Sequence, residues 1–284
     1  MNAWLTYLKE RSPLPALTFL SAGIAVSSMA FVDDFKPWPL LLCVVFTNLI
    51  FIQMRLGDEL KDLPKDRVVN PQRPLPRGLL LPEAVLRALK AIAAVLVLAG
   101  GAIAAMRSLP GGAALAITGI FAWLMYKEFY VAESLSRYPM LYALSHQVIV
   151  FPIFGWIGLT LEPGLLHNQA YLGWLLGNFG ASFTYEICRK LNPDAHELAG
   201  TYAQFYGPKV TVLYTLVFLG VCATGAGLAG IAKFSWPMLG ILTLVLLNWL
   251  KKPRTHKIVE GVSALSSTVI LFGPVILWLM KRWS

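Results

Sequence analysis

Long apolar stretches recur along this sequence and leave little room for a soluble fold. A helix needs roughly 20 apolar residues to cross the ~30 Å hydrocarbon core of a bilayer. The sequence predicts an all-α, polytopic transmembrane bundle of about nine helices. They are expected at 14–32, 38–56, 83–106, 112–131, 138–161, 169–188, 208–232, 236–250 and 258–280. The stretch at 236–250 is short for a span and would tilt little or be partly covered by its neighbours. If it does not cross the membrane, the number of spans falls to eight.

Composition supports a membrane protein over the soluble classes. Apolar residues make up 57% of the chain and charged residues 14%, whereas soluble domains carry about 25% charged residues. A disordered chain, a disulfide scaffold and a nucleic-acid-binding domain are therefore poor explanations. Cys43, Cys188 and Cys222 lie in or beside apolar runs without paired spacing, and we interpret them as small hydrophobic residues.

The net charge of +9 follows a topological pattern. With the N-terminus in the cytoplasm, eighteen of the 24 lysines and arginines fall on the cytoplasmic side, and Arg55 lies at the membrane boundary. This bias predicts nine spans with the N-terminus inside and the C-terminus outside, in a bacterial inner membrane. The first apolar stretch lacks a clean cleavage site and is expected to be retained as a span. The five basic residues on the other side are Lys36, Arg107, Lys233, Lys281 and Arg282.

Three aspartates spaced by four residues follow the second apolar stretch. Asp58, Asp62 and Asp66 would share one face of a continuous helix. Because Pro64 disfavours helix continuation, we expect Asp58 and Asp62 at the helix end and Asp66 in a loop. Carboxylates that share a face repel each other unless a cation lies between them, and Mg²⁺ takes oxygen ligands while leaving positions for substrate phosphate. The alternative is a solvated helix end.

The segment after these aspartates is basic and rich in proline. Arg73 and Arg77 carry planar donor groups that suit phosphate oxygens. The two arginines could also be topology signals alone. Together with the aspartates, they favour a diphosphate bound through Mg²⁺.

A second polar segment follows the sixth apolar stretch. Glu186 closes an apolar helix, where charge is expensive without a partner, and it is one turn from Lys190, which allows an ordinary helix ion pair. Asn192 and Pro193 resemble the cap and first turn of a short helix. Asp194 would then either favour that helix N-terminus or bind metal.

Aromatic residues and one histidine lie in the fourth and fifth stretches. His146 is expected inside helix 5, as a hydrogen-bonded structural residue or as a proton-transfer or substrate contact. The aromatic side chains suit interface packing, and they could also stabilise an allylic cation.

The Asp58-x3-Asp62-x3-Asp66 motif, the Arg73-Pro-Leu-Pro-Arg-Gly78 segment, the second polar loop and nine spans together resemble the UbiA superfamily of intramembrane prenyltransferases. The resemblance covers nearly the whole chain. It implies a helical bundle around a central cavity open to lipid, in which two acidic motifs hold Mg²⁺ and an isoprenoid diphosphate. Ionisation of the diphosphate then yields an allylic cation that alkylates an acceptor.

The chain departs from that pattern at two places. Gly57 stands where the family usually has Asn before the first Asp, and the second motif offers Glu186, Asp194 and Glu197 where aspartates are usual. By position, Asp58, Asp62 and Glu186 are predicted to be catalytic. The predicted metal ligands are Asp58, Asp62, Asp66, Glu186 and Asp194, and the predicted diphosphate contacts are Arg73, Arg77, Tyr185, Arg189 and Lys190.

The resulting functional hypothesis is Mg²⁺-dependent transfer of a prenyl group to a lipophilic, aromatic acceptor within the membrane. A membrane terpene cyclase, which ionises and cyclises the diphosphate without an acceptor, is the alternative enzyme. A transporter or lipid-binding protein is less consistent, because charges cluster at helix ends and not near the bilayer midplane. The expected partners are a prenyl diphosphate and membrane lipids, without nucleic acid. Residues 1–284 are expected to form one domain, with a loose repeat between 14–131 and 138–250.

Overall fold

The computed structural model describes residues 2–33 and 38–283, and Lys36, assigned above to the outer side, lies outside them. All regular secondary structure in the described residues is helical, which confirms the all-α prediction. The α-helices are α1 (Ala3–Arg11), α2 (Leu14–Met29), α3 (Trp38–Lys61), α4 (Leu63–Val69), α5 (Pro82–Met106), α6 (Leu109–Tyr126), α7 (Ala132–Ser136), α8 (Pro139–Gln147), α9 (Val150–Leu161), α10 (Gln169–Cys188), α11 (Tyr202–Tyr206), α12 (Pro208–Leu228), α13 (Ala232–Lys251) and α14 (His256–Trp283).

Each predicted span coincides with a helix or a helix pair. Within the described part of the chain, seven helical segments are long and apolar enough to cross a membrane, and α1 with α2 forms an eighth if this pair, bent by 54°, is one span. The predicted span at 138–161 is interrupted between α8 and α9, just before Pro152, which cannot donate a backbone hydrogen bond. The span expected to be short is not short, because α13 has 20 residues.

The remaining predicted span, α10, differs from the others in its surroundings. It contains Gly, Asn, Ser and Thr among its apolar residues, and most of its residues are buried by protein. Gly180 packs so closely on α12 that an added Cβ would lie 2.5 Å from the backbone nitrogen of Cys222. Likewise, a Cβ on Gly225 of α12 would lie 2.2 Å from the nitrogen of Gly177. This helix is therefore covered by α12 and α14, which explains its weaker apolar character.

The chain forms two compact units. The first comprises Met1–Ala25, Asp34–Ser136 and Pro152–Pro163, and the second comprises Val26–Asp33, Arg137–Phe151 and Gly164–Ser284. The single-domain assignment and the repeat between 14–131 and 138–250 stay predictions, as do the sidedness of the termini and the bacterial membrane.

Three central helices, α3, α5 and α6, pack together in the first unit. Helices α5 and α6 approach closely at Gly100 and Gly112, where a Cβ on Gly112 would lie 2.2 Å from the carbonyl oxygen of Gly100. A buried hydrogen bond from Gln53 Nε2 of α3 to the carbonyl oxygen of Gly119 measures 2.9 Å. These contacts fix the end of α3 that carries the acidic segment.

A strained turn follows α6. Glu128, Phe129 and Tyr130 have φ values of 47°, 54° and 59°, in the left-handed region that disfavours residues with a Cβ. The ring of Phe129 contacts Phe121 with centroids 5.4 Å apart. This turn connects α6 to α7.

Candidate functional site

The acidic segment of the first unit is nearly continuous helix. The backbone N–H of Asp62 donates to the carbonyl of Asp58 at 2.8 Å, and that of Asp66 donates to Asp62 at 2.8 Å. Asp62 is the N-cap of α4, and Pro64 occupies its first turn, where a missing N–H leaves no bond unmade. The prediction that Asp66 lies in a loop is therefore wrong. The three aspartates remain one turn apart, as their spacing indicated.

Asp66 is the best-anchored of the three carboxylates. Its Oδ1 accepts from Asn70 Nδ2 at 2.8 Å, and its Oδ2 accepts from Arg73 Nη1 at 2.5 Å. The side chain of Asp66 is buried, with an exposed fraction of 3%. The two carboxylate oxygens of Asp66 thus bind the segment that follows α4, and the ion pair with Asp66 places Arg73 beside the aspartates.

Asp58 and Asp62 are more available than Asp66. The carboxylate of Asp58 is 48% exposed and lies 3.4 Å from Lys61 Nζ. Burial, followed by the negative charge of Asp58, raises the pKa of the half-buried Asp62. A buried carboxylate near a second one is stabilised by a cation between them, and oxygen donors are the ligands that Mg²⁺ prefers. These two residues therefore fit a Mg²⁺ site.

Sequence reasoning missed the residue between them. Glu59 is buried, with a side-chain exposure of 1%, and its Oε1 accepts from Arg11 Nε of α1 at 2.5 Å. Its Oε2 is buried without a hydrogen-bond partner in the described structure. At 3.6 residues per turn, Glu59 lies about 100° around the helix from Asp58 and about 60° from Asp62, so the spacing alone did not separate it from the aspartates.

A second ion pair and an apolar cluster also connect α1 to this region. Arg77 donates to both carboxylate oxygens of Glu10, with Nη1–Oε2 and Nη2–Oε1 distances of 3.0 and 2.9 Å. Tyr7 packs in a cluster with Leu56, Leu75 and further residues of the loop and of α5. Arg77, a predicted diphosphate contact, is therefore engaged by Glu10 through both of its terminal nitrogens.

Gly57 is explained by a close helix approach. A Cβ at this position would lie 3.1 Å from Cβ of Tyr126, the last residue of α6. An Asn side chain, usual in the family that the sequence resembles, would force Tyr126 to move. The contact also places the end of α6 beside the acidic segment.

The second polar segment has different electrostatics. Glu186 Oε1 lies 2.6 Å from Lys190 Nζ, and Oε2 accepts from Arg189 Nε at 2.5 Å. The predicted helix ion pair between Glu186 and Lys190 is confirmed. Because both oxygens of Glu186 are engaged by cations, a metal would have to displace one of them, and the residue fits a direct Mg²⁺ ligand poorly as placed. The three side chains carry a net positive charge.

Tyr202 of α11 completes this cluster, and sequence reasoning did not assign it a role. The ammonium of Lys190 lies 5.3 Å from the centroid of the Tyr202 ring, within cation–π range. Burial, followed by the charge of Glu186, raises the pKa of the Tyr202 phenol. Tyr185, the predicted diphosphate contact beside Glu186, is half-buried at the end of α10.

The loop after α10 is not a helix. Asn192 Oδ1 accepts from the backbone N–H of Asp194 at 3.0 Å, which closes a turn, so the predicted short helix beginning at Asn192 is wrong. The side chains of Asp194 and Glu197 are exposed. Among the residues that the structure describes, no group of three or more His, Cys, Asp or Glu side chains is arranged to hold a metal ion. The metal roles of Asp66, Glu186 and Asp194 stay predictions.

His146 has local partners in α8. Its Nδ1 lies 2.9 Å from the carbonyl oxygen of Tyr142 and 3.2 Å from Ser145 Oγ, and its ring stacks on that of Tyr142 with centroids 4.2 Å apart. These contacts favour the structural interpretation of His146.

Comparison with known proteins agrees with the fold. The model of the UbiA prenyltransferase family matches residues 16–260, which is most of the chain. The chain belongs to the UbiA prenyltransferase family. Members of this family are prenyl-transferring enzymes that use prenyl diphosphates within membranes. The resemblance read from the sequence is thereby confirmed.

Two solved structures share this UbiA fold. A digeranylgeranylglyceryl phosphate synthase gives a TM-score of 0.68 at 15% identity, over 97% of this chain and 98% of that chain. A UbiA homologue from Aeropyrum pernix K1 gives a TM-score of 0.62 at 16% identity, over 93% of this chain and 98% of that chain. No curated protein matches the sequence. The solved structures establish the fold, and the identities are too low to transfer a substrate.

Proposed function

We propose that this protein transfers a prenyl group from an allylic prenyl diphosphate to a lipophilic acceptor within the membrane, in a Mg²⁺-dependent reaction. The observation that carries the proposal is the pair Asp58 and Asp62 at the end of a membrane-spanning helix. Asp62 is partly buried and its pKa is raised by that burial and by Asp58. A divalent cation relieves this repulsion.

Asp58 and Asp62 are the residues that would hold Mg²⁺. The bound ion supplies positive charge to the diphosphate as the carbon–oxygen bond breaks. Arg73 adds a guanidinium that is fixed in place by Asp66, so it needs little reorganisation when negative charge develops on the leaving group. Asp66 acts in this proposal by positioning Arg73.

In the second segment, Arg189 and Lys190 would contact the diphosphate, with Glu186 holding both cations in position. Two cations arranged around one carboxylate leave net positive charge for an anionic substrate. The lower share of carboxylates here is consistent with this assignment. The ring of Tyr202 stabilises the Lys190 ammonium through a cation–π contact.

The acceptor is proposed to be an aromatic lipid-soluble molecule. The similar digeranylgeranylglyceryl phosphate synthase is named for a product built on glyceryl phosphate, so a glyceryl phosphate acceptor belongs in the same assay. Acceptor-free cyclisation of the diphosphate is the other outcome that the assay must recognise.

The test uses the full chain in detergent with Mg²⁺ and geranyl, farnesyl or geranylgeranyl diphosphate. Diphosphate release and organic products are followed with and without an aromatic or glyceryl phosphate acceptor. We expect acceptor-dependent turnover that is lost in Asp62→Asn and retained in Asp33→Asn, a change at an exposed aspartate outside the acidic segment. Cyclic products without acceptor would replace the transferase with a cyclase. Full turnover of Asp62→Asn would refute the metal assignment, and no turnover with any substrate would refute catalysis.

A further inference from the structure

A shallow apolar groove runs along the outer surface of the first unit between α5 and α6. Its volume is about 520 Å³. Ala93, Ala94 and Gly119 form its floor, and the bulkier Leu98 and Ile120, exposed by 73% and 49%, stand beside them. The lining is almost entirely apolar. An acyl chain fits the shape and the polarity of such a groove.

One end of the groove is basic. Lys90 of α5 lines it, and so does Trp123 of α6. The ammonium of Lys127 lies 4.8 Å from the centroid of the Tyr126 ring and 5.9 Å from that of the Trp123 ring. Both lysines are exposed. The two helices run antiparallel, because Gly100 approaches Gly112 and Leu96 approaches Gly119, and this direction places both lysines at the same end.

Within the described part of the chain, these two lysines lack a carboxylate partner. Among the described residues, no carboxylate forms an ion pair with Lys90 or Lys127. Lys90 lies about 12 Å along α5 from its first residue, at 1.5 Å per residue, on a helix that is apolar enough to span the membrane. A cation at such a position is expensive unless it snorkels to a polar partner. A lipid phosphate group supplies that partner.

We propose that the α5–α6 groove binds an anionic glycerophospholipid, with an acyl chain along the apolar floor and the phosphate at the end formed by Lys90 and Lys127. Trp123 lies between chain and headgroup, the level at which indole rings are favoured in membranes. The net charge of +9 adds a general attraction for anionic lipid. The proposal does not depend on the reaction that the protein catalyses.

A competition experiment tests this site. The detergent-purified protein is incubated with equal amounts of phosphatidylglycerol and phosphatidylcholine, and the retained lipids are counted by native mass spectrometry. We expect phosphatidylglycerol to be retained preferentially. Lys90→Gln and Lys127→Gln should each lower that preference about fivefold, the effect expected for one basic residue near an anionic surface.

Two control variants separate this site from general charge and from misfolding. Lys233→Gln removes another exposed lysine beside a ring, 4.8 Å from the Phe234 centroid, but far along the chain from the groove, and it should leave the preference unchanged. Ala94→Trp fills the groove and should lower retention of the lipid while circular dichroism confirms the fold. The proposal is overturned if Lys233→Gln acts like Lys90→Gln, if both lipids are retained equally, or if inorganic phosphate displaces phosphatidylglycerol, since that would indicate an anion site without a chain.

Discussion

The buried ion pair between α1 and α3 allows a quantitative prediction. Arg11→Met leaves Glu59 buried with neither carboxylate oxygen paired, because Oε2 already lacks a partner among the described residues. Removing one member of a buried pair costs about 3–5 kcal/mol. Protonating an ordinary glutamate at pH 7 costs about 3.7 kcal/mol. This cost is the upper limit of the stability loss, because a carboxylate that is destabilised further takes up a proton instead. Since Arg11 is 21% exposed, we expect a loss of about 3 kcal/mol.

Substitution of the other member of the pair, Glu59, should cause a smaller loss of stability. Glu59→Gln keeps the shape and lets the partly exposed Arg11 turn to water, so we expect a loss of about 1 kcal/mol. The double variant removes both charges and should lose only about 1.5 kcal/mol. The coupling energy in the double-mutant cycle is then about 2.5 kcal/mol.

The assay is reversible unfolding of the four proteins by dodecyl sulfate in mixed micelles, followed by tryptophan fluorescence and circular dichroism. A matched control is the exposed pair formed by Glu10 and Arg77, whose disruption by Glu10→Gln should not change the unfolding midpoint measurably. Additive losses in the cycle, or an Arg11→Met protein as stable as the parent, would refute the reasoning that α1 holds Glu59 through a desolvated charge pair.

Three further predictions concern single positions. The raised pKa of Asp62 means that the folded protein binds this proton more tightly than the unfolded chain. In metal-free protein, the stability that Asp62 contributes should therefore be lost as the pH rises from about 4 through the raised value, so the melting temperature of the parent relative to that of Asp62→Asn should fall over this range. Gly225→Ala places a Cβ 2.2 Å from backbone and should destabilise by about 1–3 kcal/mol or more, whereas Gly220→Ala on the same helix meets nothing within 4 Å and should stabilise by about 0.5–1 kcal/mol in the same denaturation assay. Tyr130 has a left-handed backbone and a side chain that is 72% exposed, so Tyr130→Gly should stabilise the protein by about 1 kcal/mol. An unfolding midpoint that does not rise would contradict the strain at this residue.

The helices were predictable because spanning a bilayer requires long apolar runs, and these runs are visible without any tertiary information. The exceptions have physical causes. Pro64 was expected to end the helix before Asp66, but a proline in the first turn starts a helix as readily as it ends one. The break between α3 and α4 therefore occurs at Asp62, and Asp66 remains helical.

The site was predictable as a set of residue types and less so as a set of contacts. The spacing of the aspartates indicated their shared face, whereas the engagement of Asp66 by Arg73 and of Arg77 by Glu10 depends on loop conformation and on pairs far apart in sequence. Likewise, the buried Glu59 could not be distinguished from a surface residue without the position of α1. Long-range ion pairs carry no local sequence signal.

The glycine-lined contact between α10 and α12 has a consequence for how the protein reaches the membrane. A segment that is covered by neighbouring helices, and that is less apolar than they are, enters a bilayer poorly by itself. The helices that cover α10 are α12 and α14, and the ribosome synthesises both of them later. We therefore expect α10 to wait beside the insertion machinery until these partners emerge, so that its integration is coupled to the completion of the chain.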